Sequence, residues 1–300
     1  MTRDDTGATR LPVGHSARRR NSRGWYLLIG VASAIVLSGA IFWGFREMRN
    51  GASRNETRQR FLELAVDLVC YSEQFGRLPC PVRRESVGRP TEVSSPNGAG
   101  RPLYSWRVEI VPFLMSWHGS WSRSHAWNDP VNAQLVELSS FYSYDADEPS
   151  DERTESFPDT NILAITGPGT AFGDDKEPRT AMADVPPGTI LAVESRASGI
   201  PWAAPGDFDI RTMPRTINAS DGKGISSRHV GGFHVMFADM QVWFLSDKLS
   251  YQTLEKFFTI EGAERHDREK LLGPFALHRA GGKAFGSRRK DEEREERGHP

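Results

Sequence analysis

The chain of 300 residues carries 38 Lys and Arg against 39 Asp and Glu, a formal net charge of -1. It has no global basic field to neutralise phosphates, which argues against nucleic acid as a partner. Nineteen prolines, 28 glycines and eight tryptophans suit an α+β fold of short strands and many loops better than a helical bundle.

Residues 1–24 form a basic tail in which Arg18, Arg19, Arg20 and Arg23 stand just before an apolar run. That run, Trp25 to Phe45, holds 21 residues without a charge. At about 1.5 Å per residue it is long enough for the roughly 30 Å hydrocarbon core of a bilayer, so a transmembrane helix is expected over 25–45. The basic cluster places the N-terminus in the cytoplasm and the main domain outside the inner (cytoplasmic) membrane, with the lipid bilayer as a partner. Five arginines in residues 46–60 oppose this orientation and Glu47 and Glu56 partly offset them, so the closeness of the N-terminal cluster to the run decides it. Cleavage near Ala32-Ser33-Ala34 or Ala40 is the weaker alternative, because the run outlasts an ordinary signal core.

A single extracytoplasmic domain is expected over residues 53–262. Ser53-Arg54-Asn55-Glu56 reads as a capping box, and Phe61, Leu64, Ala65, Leu68, Val69 and Phe75 then recur on one apolar helical face until Gly76 and Pro79 end it. Cys70 and Cys80, the two cysteines, are close enough in sequence to close a disulfide outside the cytoplasm, with two unrelated thiols as the equal alternative. Their spacing does not resemble a zinc site.

Residues 81–100, rich in Pro, Gly, Ser and charge, read as a loop. Tyr104, Trp106, Val108 and Ile110 alternate as in a strand, and 131–138 suggests a short helix. Residues 145–160 carry seven acids against one base without the spacing of an EF-hand, so a solvated acidic loop is expected. Buried strands are expected over 161–166 and 189–194, separated by turns at Gly167-Pro168-Gly169 and Gly173-Asp174-Asp175. The glycines open no helix after a strand, which excludes a phosphate-cradling loop.

Residues 233–245 read as a hairpin turning at Asp239-Met240. A two-residue turn would set Phe237 opposite Val242 and Val235 opposite Phe244. Phe233, Val235, Phe237, Val242 and Phe244 would then cover the helix at 53–75, and His234, Met236, Gln241 and Trp243 would form a partly wet face. A helix is expected over 249–258, then a charged C-terminal tail over 263–300, largely disordered.

His229, His234 and Asp239 are the candidate metal ligands, two imidazoles and a carboxylate. A structural role is favoured over the metal, because alternation turns His234 from the core and a hairpin wants Asp239 in its turn. Ser226 or Ser227 beside His229 suggests a nucleophile and base, but no strand-turn-helix elbow presents the serine. Glu194 ends a strand near Pro201-Trp202, and Trp106, Trp127 and Trp202 could line a groove, with ordinary packing the simpler account. No cofactor is expected.

The order YSEQFGRLP (71–79), RPLYSWRVEIVPFL (101–114), AWNDPVNAQL (126–135), TNILAITGPGTAF (160–172), TILAVESRASGIPWAAP (189–205) and RHVGGFHVMFADMQVWFLS (228–246) resembles the planctomycete family called domain of unknown function 1559. The resemblance covers roughly residues 55–262. It implies a prepilin-type, pilin- or pseudopilin-like protein, an N-terminal helix packed on an antiparallel sheet, with no established activity. His229 and Asp239 match the family's late signature of His, nine residues, Asp-Gly, but Met240 replaces the glycine. Gly24 is followed by Trp25, and the fifth residue, Ile29, stands where a prepilin has Glu. The function implied is a tethered, non-enzymatic envelope component that contacts envelope or secretion-system proteins. The alternatives are a membrane-tethered metal-dependent hydrolase or ligand-binding protein using the region of His229 and Asp239, and a minor pseudopilin.

Overall fold

The computed structural model describes residues 51–85, 100–110, 121–137, 157–174 and 180–282. The basic tail, the run at 25–45 and most of the acidic loop lie outside the described residues. Among the described residues no helix is long and apolar enough to cross a membrane. The chain divides between Arg49 and Asn50 into two units, and the second, which holds every described residue, is a mixed α+β body.

Helix α1 runs over 51–75. Ser53 to Glu56 lies within it, so the capping box does not begin the helix; Glu56 instead pairs with Arg60 one turn on, at 2.7 Å. Thr57, Phe61, Leu64, Ala65, Leu68, Val69 and Tyr71 are buried, while Phe75 is 47% exposed. Gly76 ends the helix at φ 68°, a left-handed cap that glycine takes without strain, and its N–H donates to Ser72 O at 2.7 Å.

No disulfide joins Cys70 and Cys80, which selects the alternative of two unrelated thiols. Helical backbone continues for five residues beyond Cys70, and Cys80 already belongs to the segment entering β1 (Val82–Arg84), where its thiol donates to Val82 O at 3.0 Å.

β1 pairs with β2 (Pro102–Ser105) as a two-stranded antiparallel sheet. The alternation through Ile110 then gives way to helix α2 (Trp106–Ile110). Ser105 Oγ accepts from the Arg107 N–H at 3.3 Å, a serine at the helix entrance, and the short helix buries Trp106, Arg107, Val108 and Ile110. Arg107 is fully buried against Asp207 at 2.6 Å and also donates to Ile162 O; Asp207 accepts from Trp106 Nε1 and the Ala164 N–H. Burial pushes the Asp207 carboxyl up, and the Arg107 charge pulls it back. Helix α3 (Pro130–Glu137) forms near the expected place.

The main sheet has the order β5-β3-β4-β6-β7-β8, built from β3 (Ile162–Thr166), β4 (Ile190–Glu194), β5 (Phe208–Asp209), β6 (Gly232–Phe237), β7 (Val242–Ser246) and β8 (Ala276–Ala280). Only the β3–β5 pair is parallel. Both β3 and β4 are buried along their whole length, as their apolar, β-branched sequences predict.

The hairpin is real but its register is shifted by one residue. Met240 N–H donates to Phe237 O at 3.0 Å and Phe237 N–H to Gln241 O at 2.9 Å, with Met240 at φ 65°, so the loop holds more than two residues. Val235 therefore faces Trp243, and His234 faces Phe244. A one-residue slip turns every β7 side chain over relative to β6. Phe233, Val235, Phe237, Trp243 and Leu245 join Leu254, Phe257, Phe258 and Leu272 in one core. Met236 and Val242 join Phe61, Leu64 and Leu68 of α1 in the other. Helix α1 thus packs on the β6 face expected to be partly wet, together with Val242 and Phe244 of β7, and the sheet is buried on both sides.

The second covering layer consists of α4 (Tyr251–Leu254), α5 (Ile260–Arg265) and α6 (Arg268–Leu271), short helices capped by Ser250, Thr259 and Asp267. Residues 263–282 are accordingly part of the fold, which corrects the tail boundary at 263. β8 escaped notice because Leu277, His278 and Arg279 are exposed: an edge strand joins through its backbone ladder to β7, not through an apolar side-chain pattern.

Candidate functional site

Register brings one row of side chains across the sheet on the α1 face. Glu194 ends β4, His234 lies beside it on β6, Phe244 pairs with His234 from β7, and His278 pairs with Phe244 from β8. Glu194 is 0% exposed, and burying its carboxylate requires donors. It receives the Ser227 hydroxyl at 2.8 Å on Oε1, and the His234 N–H at 2.9 Å and His234 Nδ1 at 2.8 Å on Oε2. It is Nδ1 of His234 that meets the carboxylate, so the Nε2 edge of the ring is turned away from Glu194.

His229 enters from the loop before β6. Asn218, at φ 49°, holds this loop by accepting the Ser227 N–H at 2.8 Å, and Ser227 Oγ accepts the His229 N–H at 2.9 Å. His229 Nε2 then lies 2.9 Å from Thr57 Oγ1 of α1 and 3.7 Å from Glu194 Oε1. Its ring stands nearly perpendicular to that of His234, and Phe61 stacks on His234 from the helix. Burial lowers the His229 pKa; the Glu194 charge opposes that shift, while His234, Arg54 and Arg228 add to it. The ring is therefore held neutral, a state fit to ligate a metal or accept a proton.

Glu194, His229 and His234 each offer a donor atom, all within 4.8 Å of one another. Zinc held at about 2.0–2.1 Å by such ligands needs them somewhat closer together, so a modest contraction would form a three-ligand site. Without an ion, Glu194 is paired with His234 and Ser227, and His229 with Thr57.

The structure brings His229 and His234 together and separates Asp239 from them. Asp239 sits at the hairpin turn, bound through both oxygens by Arg268 at 3.0 and 2.7 Å. The carboxylate of the cluster is Glu194. His234 is 2% exposed, which corrects its placement on a wet face; the slip that turns Phe244 toward α1 covers it. The nucleophile reading fails as well, since Ser227 spends its proton on Glu194 and Ser226 donates to Gly222 O. Trp106 and Trp202 are fully buried in the core and Trp127 packs against it, so no tryptophan groove exists among them. Thr57 was not foreseen, though a Thr four residues before Phe61 on the apolar stripe was a signal for it. Comparison with protein-family models, curated proteins and solved structures finds no match to this chain.

Proposed function

We propose that this chain is a single-span, membrane-tethered, extracytoplasmic protein of pilin-like type, related to domain of unknown function 1559. It acts by display and contact in the envelope. The observation that carries this reading is the order of parts: an uncharged run of 21 residues is followed by a helix over 51–75 laid on a largely antiparallel sheet. The two signature residues support it too, because both have structural employment: His229 joins Thr57 of α1 and gives its backbone N–H to the Ser227 that donates to Glu194, and Asp239 is clamped by Arg268. Ile29 in place of the glutamate argues for a permanent tether over a filament subunit.

The test is an alkaline phosphatase fusion at the C-terminus of the full chain, with carbonate extraction of membranes. An active fusion that stays in the carbonate-washed pellet is expected, at the uncleaved mass. An inactive fusion, or extraction into the supernatant, refutes the reading.

The convergence of Glu194, His229 and His234 favours a second reading, a metal-dependent ligand-binding protein or hydrolase. Elemental analysis of the full chain decides it. Near-stoichiometric zinc, lost in both His229→Ala and Glu194→Gln, supports the metal; no bound zinc, calcium or iron ends it.

A further inference from the structure

We propose that a metal ion at the Glu194 cluster and the seated position of α1 exclude one another, with Thr57 as the coupling residue. This coupling rests on the metal-binding reading and supplies the regulation of that site. The ring nitrogen that His229 turns to the carboxylate is Nε2, 3.7 Å from Glu194 Oε1. The same nitrogen lies 2.9 Å from Oγ1 of Thr57, which is buried on α1. An imidazole nitrogen has one outward position in the ring plane, holding either a proton or a lone pair. A metal at Nε2 takes that position, so the Thr57 bond is lost whichever partner donates in it.

The sheet side of the cluster is held by its own bonds. Ser227 Oγ donates to Glu194 Oε1 at 2.8 Å and accepts the His229 N–H at 2.9 Å, while His234 gives its backbone N–H to Glu194 Oε2 at 2.9 Å. These bonds tie the carboxylate to the loop and strand that carry the two rings. Helix α1 meets both rings from the other side, through Thr57 on His229 and through Phe61, whose ring centroid is 5.9 Å from that of His234. Donor atoms spread over as much as 4.8 Å must draw together around zinc, which holds imidazole nitrogen at about 2.0–2.1 Å. Each ring that moves inward leaves its neighbour on the helix.

Charge acts in the same direction. Arg54, three residues before Thr57 on α1, lies close enough for its positive charge to disfavour a second one at His229. A cation entering beside His229 meets that charge while the helix is seated. Metal and α1 therefore compete for one row of side chains, and by linkage each weakens the other by the same factor. The state that carries the ion is the one in which the turn around Thr57 has let go of the sheet.

The experiment uses the full chain in detergent, stripped of metal and titrated with zinc against a competing chromophoric chelator. Thr57→Val keeps the shape and removes the hydroxyl. It is expected to bind zinc about fivefold more tightly than the wild type, since one hydrogen bond no longer opposes the ion. Thr57→Ser keeps the hydroxyl and is expected to bind as the wild type does. Hydrogen exchange gives the second measurement and carries the test if Thr57→Val does not fold. In the wild type, zinc should speed amide exchange over residues 55–61 by about the same factor and leave 68–72 unchanged, and Glu194→Gln should abolish the response. Equal affinities for the wild type and a folded Thr57→Val, or exchange that ignores zinc, overturn the coupling and leave the metal reading standing. Weaker binding by Thr57→Val also overturns it, because Thr57 is then a ligand and not a competitor. Tighter binding by Thr57→Ser to the same degree as Thr57→Val does so as well, since the hydroxyl is then not what competes. No zinc in the wild type or in Thr57→Val ends the metal reading and the coupling with it.

Discussion

Two carboxylates are buried on or against α1, and their surroundings set them apart. Glu194 receives three donors, whereas Asp67, 2% exposed, leaves its Oδ2 without a partner. Burial, and then the charge of Glu63 one turn earlier, raise the Asp67 pKa to about 7. The folded state thus holds a proton that the unfolded chain releases near pH 4. Stability from this group is full below about pH 4 and falls as pH rises to 7, by an upper bound of about 4 kcal/mol at 1.36 kcal/mol per unit. His229 has the opposite sign: its depressed pKa costs stability as pH falls below about 6.5. Comparing wild type with Asp67→Asn in urea at pH 4.5 and 7.5 isolates the first effect. The variant should lose about 2 kcal/mol or more less stability than the wild type between the two pH values, and parallel losses would refute the assignment.

At the scale of elements, the hairpin tip is held from outside. Arg268 of α6 binds both Asp239 oxygens and Pro187 O, and its guanidinium lies 4.6 Å from the Phe237 ring centroid and 4.8 Å from that of Trp243. Arg279 of β8 stands 3.9 Å from the same indole. A lysine keeps the charge but loses the fork and the stacking. Arg268→Lys should cost about 1–2 kcal/mol, and a double-mutant cycle with Asp239→Asn should show coupling of about 1 kcal/mol. Additive effects would mean that the pair is incidental. This clamp also shows where sequence stops informing. The position of the hairpin was legible from Phe233 to Leu245, because alternation and a turn-forming Asp are local. Its register was not, because Met240 at positive φ is a choice that only the wider packing makes favourable. With the register went the faces, and with the faces the burial of His234 beside Glu194. The same holds for Trp106 to Ile110, whose alternation fits a strand until Arg107 is seen to need Asp207.

For the whole molecule, both faces of the sheet being buried makes the C-terminal segment part of the core. Leu254, Phe257, Phe258 and Leu272 cover one face as α1 covers the other, and each such side chain contributes roughly 1.5–3 kcal/mol by its burial. Composition concealed this, because charged residues between 261 and 270 dilute the apolar pattern and β8 displays polar side chains on an edge. Two truncations separate the parts. Ending the chain at Phe285 removes a charged segment with no apolar face and leaves every described contact in place, so its thermal midpoint should match that of the full chain. Ending it at Leu272 keeps the helical cover but removes β8, which strips the ladder from β7 and the Arg279 ring contact from Trp243. It also exposes a strand, Val242 to Ser246, that is apolar along most of its length and would then form the sheet edge. The shorter chain should melt several degrees lower and aggregate in a concentration-dependent way, while the longer one does neither. Equal melting of all three chains would mean that β8 is an ornament on the sheet and that the fold ends, for stability, with α6.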